Sequence, residues 1–99
     1  MLPTDPWPET VERARRLERL GYDHLWTYDH LSWRRYRERS WHAAIPWLTG
    51  LAGATSGIRL GTMVASPNFR HPLPLAKETT TLDHVSGGRF TLGLGAGGN

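Results

Sequence analysis

Val11, Ala14, Leu17 and Leu20 recur at helical spacing, with arginines and glutamates between them. That period predicts an amphipathic helix. Asp5-Pro6-Trp7-Pro8-Glu9 reads as its start, with Asp5 as a cap, proline in the first turn, and Glu9 and Glu12 near the positive end of the dipole. Gly21 predicts its end. The pattern then changes to a short aromatic and β-branched run, Tyr22 to Tyr28, which predicts a strand. Leu31 to Ala44 is polar, basic and tryptophan-rich, as expected of a long loop. A second helix is expected from Pro46 to Thr55, with Trp47, Leu48, Leu51 and Ala52 on one side. Gly57 to Val64 predicts a second strand, and Ser66 to Pro74 a loop. A third helix carries Leu75, Ala76, Thr79, Leu82 and Val85 and stops at Gly87-Gly88. Arg89 to Gly95 predicts a third strand.

Helix then strand, three times over, with a spacing of roughly thirty residues, is the rhythm of βαβ units and hence of parallel strands. Each crossover should be right-handed. Strands lying side by side in sequence order then put every connecting helix on one face of the sheet, and the other face stays uncovered. A closed barrel hides that face inside, but closure takes about eight strands and roughly 250 residues. The expectation is therefore an α/β chain forming an incomplete (β/α)₈ arc of about three units, one partial domain over residues 1–99. The uncovered face predicts self-association or a partner that covers it.

Within the strands, Ile58, Leu60, Thr62 and Val64 alternate with Gly61 and Met63. Phe90, Leu92 and Leu94 likewise alternate with Thr91, Gly93 and Gly95. The bulky set is expected against the helices and the glycine set on the barrel interior. Two reasons for the glycines stay open: close approach of a flat molecule to the backbone, or relief of crowding in a narrow core.

Composition removes several classes of function. There are no cysteines, which excludes disulfides, thiolate metal sites and a cysteine nucleophile. The histidines lack metal-ligand spacing, so no metal is expected. No apolar run is long enough to span a membrane, and no basic-then-apolar leader is present, so a cytoplasmic location is expected. A net charge of +3 is small for a polyanion binder. The arginine run Arg34-Arg35-Tyr36-Arg37-Glu38-Arg39 reads first as a solvated loop, next as an attractor for an anionic cofactor tail. Nucleic-acid contact, with Trp33, Tyr36 and Trp41 as stacking groups, ranks last. Arg70-His71 meets an anion or lies on the surface. Glu9, Glu12 and Glu18 sit on an exposed helix, too far from the strand ends for acid–base work. Gly93-Leu94-Gly95-Ala96-Gly97-Gly98 fits G-x-G-x-x-G as a string, without the following helix and acidic residue that a dinucleotide fingerprint requires.

Three segments together resemble the luciferase-like flavin and deazaflavin oxidoreductases: Leu20 to Leu31 (LGYDHLWTYDHL), Ile58 to Pro72 (IRLGTMVASPNFRHP) and Thr81 to Gly98 (TLDHVSGGRFTLGLGAGG). The resemblance covers nearly the whole chain and matches the second to fourth strands of that barrel. It implies a small-molecule substrate and coenzyme F420 or FMN bound at the carboxyl ends of the strands. It implies an active-site role for His30 and its neighbour Asp29, which either fixes the histidine tautomer or holds the loop. It implies a substrate-pocket role for Trp33, one residue closer than in the glucose-6-phosphate dehydrogenase branch. It also implies a bulge with a cis peptide at Met63-Val64 behind the ring, and cofactor contact at Gly95, Ala96 and Gly97. Gly98 and Asn99 stand where that branch carries a catalytic glutamate. The implied activity is hydride transfer with F420 or FMN-dependent monooxygenation, by a fragment or short form of the family. The alternatives are a non-catalytic remnant that joins a partner and a small basic nucleic-acid-binding module.

Overall fold

The computed structural model describes residues 1–32, 38 and 40–96. Trp33, Arg34, Arg35, Tyr36, Arg37, Arg39, Gly97, Gly98 and Asn99 lie outside the described residues. Helix α1 spans Trp7–Arg19, strand β1 His24–Thr27, helix α2 Ala44–Ala54, strand β2 Arg59–Thr62, helix α3 Pro72–Val85 and strand β3 Phe90–Thr91. A 3₁₀ turn, Pro67–Phe69, lies between β2 and α3.

Local chemistry accounts for these bounds. Asp5 does not cap α1, contrary to the expectation from sequence: Pro6 takes the cap position, and the Asp5 carboxylate pairs with Arg13 at 2.8 Å. With two prolines at the helix entry, the Thr10 hydroxyl donates instead to the Pro6 carbonyl at 3.1 Å. The other end follows expectation. Gly21 takes φ +88°, donating its N–H to Glu18, while Tyr22 donates to Leu17. This pair of bonds is a Schellman stop, and a positive φ favours glycine there.

Helices α2 and α3 both start earlier than their prolines suggest. Pro46 sits inside the first turn of α2, and Pro72 and Pro74 inside that of α3. A first-turn N–H has no intrahelical acceptor, so proline loses nothing there. Gly87 and Gly88, at φ +67° and +82°, end α3 as expected.

The strands are parallel, in the order β1-β2-β3. Leu25 is level with Leu60, and Leu60 with Phe90. On that face Leu25, Ile58 and Leu60 are buried against Ala14, Ile45, Trp47, Leu48, Leu51, Leu75 and Leu82 from the three helices. Each leucine or isoleucine of this set contributes about 1.5–3 kcal/mol. Helix α2 is the central one, touching both α1 and α3, which is why its apolar positions run around most of its surface. The shortest dimension, 18 Å, holds two layers, helices on sheet, and leaves no room for a third. The expected arc is therefore observed.

The expected alternation holds only in part. Leu92 and Leu94 do not join the helix-facing core but are 36% and 61% exposed, and Val64 is 41% exposed. Regular pairing ends at Thr62 and Thr91, so side chains beyond those residues are no longer held in a pleat. On the open face Trp26 stacks parallel on His24, with centroids 5.5 Å apart. A Cβ on Gly61 would strike the Trp26 ring.

Candidate functional site at the carboxyl ends of the strands

Parallel pairing brings three chain segments to one end of the sheet: Tyr28-Asp29-His30 after β1, Met63 to Arg70 after β2, and Leu92 to Ala96 after β3. Six of the residues singled out from sequence, His30, Asp29, Met63, Val64, Gly95 and Ala96, lie in these segments. The other two, Trp33 and Gly97, are outside the described residues.

His30 is half-buried and lies near two rings. Its centroid is 6.1 Å from Tyr28 and 6.2 Å from Trp41, both at steep angles. Tyr28 follows His30's own strand, whereas Trp41 comes from the far end of the long loop. Sequence reading does not anticipate this aromatic pair, since only folding brings Trp41 back to the strand end.

Asp29 is buried at 3% exposure. One carboxylate oxygen accepts the Ser66 N–H at 2.9 Å, and the other accepts Arg70 Nη2 at 2.7 Å. Of the two roles left open for Asp29, this geometry supplies the loop-holding one. It also means that Arg70 points inward to a carboxylate rather than serving simply as a surface cation. His71 is the N-cap of α3, its Nδ1 accepting the Leu73 N–H at 3.2 Å.

The Met63-Val64 peptide is cis, at the position the resemblance implies. Met63 is still tied to β1, its N–H donating to the Thr27 carbonyl at 2.9 Å, and its side chain is 53% exposed. Beyond it the tails of β2 and β3 are laced together. Thr62 Oγ1 donates to the Gly93 carbonyl and accepts the Gly93 N–H, at 3.0 and 3.1 Å. Ala65 donates to Gly93 at 2.6 Å, and Gly95 donates to Ala65 at 3.0 Å. A Cβ on Gly93 would meet the Thr62 carbonyl, and one on Gly95 the Val64 side chain. At Gly93 the obstacle is backbone, so relief of crowding accounts for that glycine; at Gly95 it is a side chain of an exposed residue, and both reasons for the glycine still apply.

The opposite end of the sheet holds two polar clusters that sequence reading missed. Glu18 is not simply on an exposed helix: its carboxylate accepts the N–H groups of Ser56, Gly57 and Ile58 at 3.0, 2.7 and 2.9 Å. The N–H groups of Gly57 and Ile58, with Ser56, hold its pKa at about 2. Arg89 donates to the carbonyls of Ala52, Ile58 and Ser86 at 2.8, 2.9 and 2.6 Å, closing the end of α2 onto β2. In (β/α) barrels the amino ends of strands serve stability and the carboxyl ends serve chemistry. The two clusters and the candidate site divide in that way. Among the described residues no helix is long and apolar enough to cross a membrane.

Comparison with known proteins accords with this geometry. The family model for luciferase-like monooxygenases matches residues 1–99. The chain is 40% identical over 89 residues to 4-hydroxyprotoasukamycin monooxygenase of Streptomyces nodosus subsp. asukaensis, covering 88% of this chain and 23% of that protein. It is 38% identical over 93 residues to the F420-dependent glucose-6-phosphate dehydrogenase of Amycolatopsis mediterranei, covering 90% of this chain and 27% of that one. The structure of the coenzyme F420-dependent tetrahydromethanopterin reductase from Methanopyrus kandleri superposes with a TM-score of 0.83 at 34% identity. That superposition covers 99% of this chain and 26% of the reductase. Among proteins of this fold the named cofactors are coenzyme F420 and FMN. The chain thus spans about a quarter of the length of the relatives it matches. On sequence and on fold, the chain belongs to the luciferase-like monooxygenase family.

Proposed function

We propose that this chain forms the ring-facing part of a flavin or deazaflavin site in an oxidoreductase acting on a small organic substrate. The observation that carries this reading is the convergence of His30, the exposed Met63 and Val64 and the Gly95-Ala96 tail at one end of a parallel sheet. A flat ring fits such a place: Met63, Val64 and Ala96 are exposed, and the glycine-rich β3 tail carries little side-chain bulk. These residues would hold the ring from one side, with His30 beside it. When bound, coenzyme F420 would supply a two-electron hydride carrier, and FMN would also supply reactivity toward oxygen.

His30 is then the proton-handling group. A hydride leaving a substrate carbon must be matched by a proton leaving its hydroxyl, and an imidazole nitrogen can accept it. Tyr28 and Trp41 orient the ring and limit its access to water. The anionic tail of either cofactor calls for cations that Arg70, already paired, does not offer here. The reading puts the protein in the cytoplasm.

Titration of the purified chain with FMN and with F420, followed by ligand fluorescence, tests the site. Saturable binding is expected, weakened at least tenfold by Met63→Asp and preserved in His30→Gln. In a form with turnover, His30→Gln is expected to cost about 10²–10⁴ in kcat, as for loss of an acid–base group. No binding of either cofactor would reject this reading.

A second reading is favoured by the open sheet face, where Met63, Val64 and Leu94 are exposed. In it the chain is a non-catalytic piece that associates with a second copy or a partner, and binds no cofactor by itself.

A further inference from the structure

We infer that Asp29 and Arg70 are a positioning pair, which fastens the segment behind the proposed cofactor ring and does not itself touch the reacting atoms. The inference rests on the functional reading above only for what the fastened segment is for; the fastening is visible in the geometry.

Asp29 is the first buried residue after β1, and both of its oxygens are committed to the chain that follows β2. Oδ2 holds the Ser66 N–H at 2.9 Å. Oδ1 holds Arg70 Nη2 at 2.7 Å, with the arginine side chain only 20% exposed. The bonded residues bracket the 3₁₀ turn Pro67–Phe69, so a single carboxylate grips both ends of that turn.

The neighbouring residue, Ala65, is fully buried and is gripped from the other side by β3 through Gly93 and Gly95. Met63 is tied in turn to the Thr27 carbonyl. The stretch from Met63 to Ser66 thus has anchors on β1, on β3 and on Asp29. The first two are main-chain bonds that substitution cannot easily remove. The Asp29–Arg70 pair is the side-chain anchor of the three, and it is shielded from water. Charge-assisted hydrogen bonds in such a place are stronger than neutral ones and fix geometry as well as adding energy. Supporting groups of this kind set how firmly a site keeps its shape.

The geometry also gives the consecutive residues Asp29 and His30 separate duties. The carboxylate turns inward to the β2 tail, and the imidazole lies among the rings of Tyr28 and Trp41. A change at Asp29 would be felt at Met63-Val64 through Ser66.

Amide hydrogen exchange on the full chain, with and without FMN or F420, tests the pair. Arg70→Met is the main variant, because Arg70 lies at the edge of the pair and its loss is better tolerated than that of buried Asp29. Arg70→Lys keeps the charge, and Asp29→Asn keeps an acceptor for Ser66. In the cofactor-free chain, Arg70→Met is expected to speed exchange at Ala65 and Ser66 at least tenfold, leaving Leu48 and Leu60 within twofold. Arg70→Lys should restore most of the protection. Affinity for whichever cofactor the wild type binds should fall at least fivefold in Arg70→Met and recover in Arg70→Lys. Unchanged exchange at Ala65 and Ser66, or equal acceleration throughout the core, would overturn the inference. So would local acceleration with unaltered cofactor affinity. A wild-type chain that binds neither cofactor rejects the functional reading instead, and the exchange data then decide the pair alone.

Discussion

Single side chains do most of the work of joining the elements at the amino end of the sheet. Glu18 reaches from the end of α1 to three successive N–H groups that open β2. Those N–H groups favour its charged form, lowering its pKa from 4.5 to about 2. A carboxyl whose pKa is depressed by folding stabilises the fold fully above its unfolded pKa. That stabilisation is lost as the pH falls from about 4.5 through about 2. Urea midpoints measured against pH should therefore be level near neutrality and decline across that acid window, and Glu18→Gln should flatten the decline. The site is close to solvent, so the substitution is expected to cost only about 1 kcal/mol at neutral pH. Arg89 is more deeply set and satisfies carbonyls on α2, just before β2 and at the α3 exit. Arg89→Met leaves those carbonyls unpaired, and chemical denaturation should report a loss of about 2–3 kcal/mol. A Lys replacement should recover less than half, since one ammonium cannot serve three directions.

Among the elements, α2 is where sequence composition and packing pull against each other. It holds two glycines, each costing up to about 1 kcal/mol relative to alanine in a helix interior. At Gly53 a Cβ would meet nothing within 4 Å, whereas at Gly50 it would come within 2.6 Å of the Trp7 ring. Gly53→Ala is therefore expected to raise the melting temperature, by a stabilisation of about 0.5 kcal/mol. Gly50→Ala should give no gain, and should give one once Trp7 is also changed to Ala. The same gain for Gly50→Ala in both backgrounds would show that the Trp7 contact does not matter. The element boundaries differ in the same way. The stop signals at Gly21 and at Gly87-Gly88 are legible in the sequence, because a positive φ is a local requirement. The starts of α2 and α3 are not, because a proline marks a loop and a helix's first turn equally well. The outward turn of Leu92 and Leu94 is not legible either, since it depends on where pairing with β2 ends.

The chain as a whole is an 18 Å slab in which the helices of the described residues pack on one face of the sheet. Its bare face carries Trp26 and Gly61, and the exposed side chains of Met63, Val64 and Leu94 crowd one end. Apolar surface of this kind binds other apolar surface. The purified chain should bind the dye ANS in its native state, and sedimentation velocity should reveal concentration-dependent association. Met63→Asp together with Leu94→Asp should reduce both. A monodisperse monomer that excludes the dye would contradict the reading of this face as unsatisfied.

The order of helices and strands, the parallel sheet and the one-sided packing follow from the sequence, because period, glycine stops and crossover handedness are local or nearly local rules. The family was also legible there, in three short segments at fixed spacing. Tertiary structure alone decided the partners. It turned Asp29 from a neighbour of His30 into the anchor of Ser66 and Arg70, brought Trp41 to His30, joined Glu18 to the Ile58 N–H 40 residues away, and joined Arg89 to the Ala52 carbonyl 37 residues away. A polar side chain's preference for a partner is encoded at its own position, but the identity of that partner depends on which distant backbone groups the fold brings within about 3 Å of it.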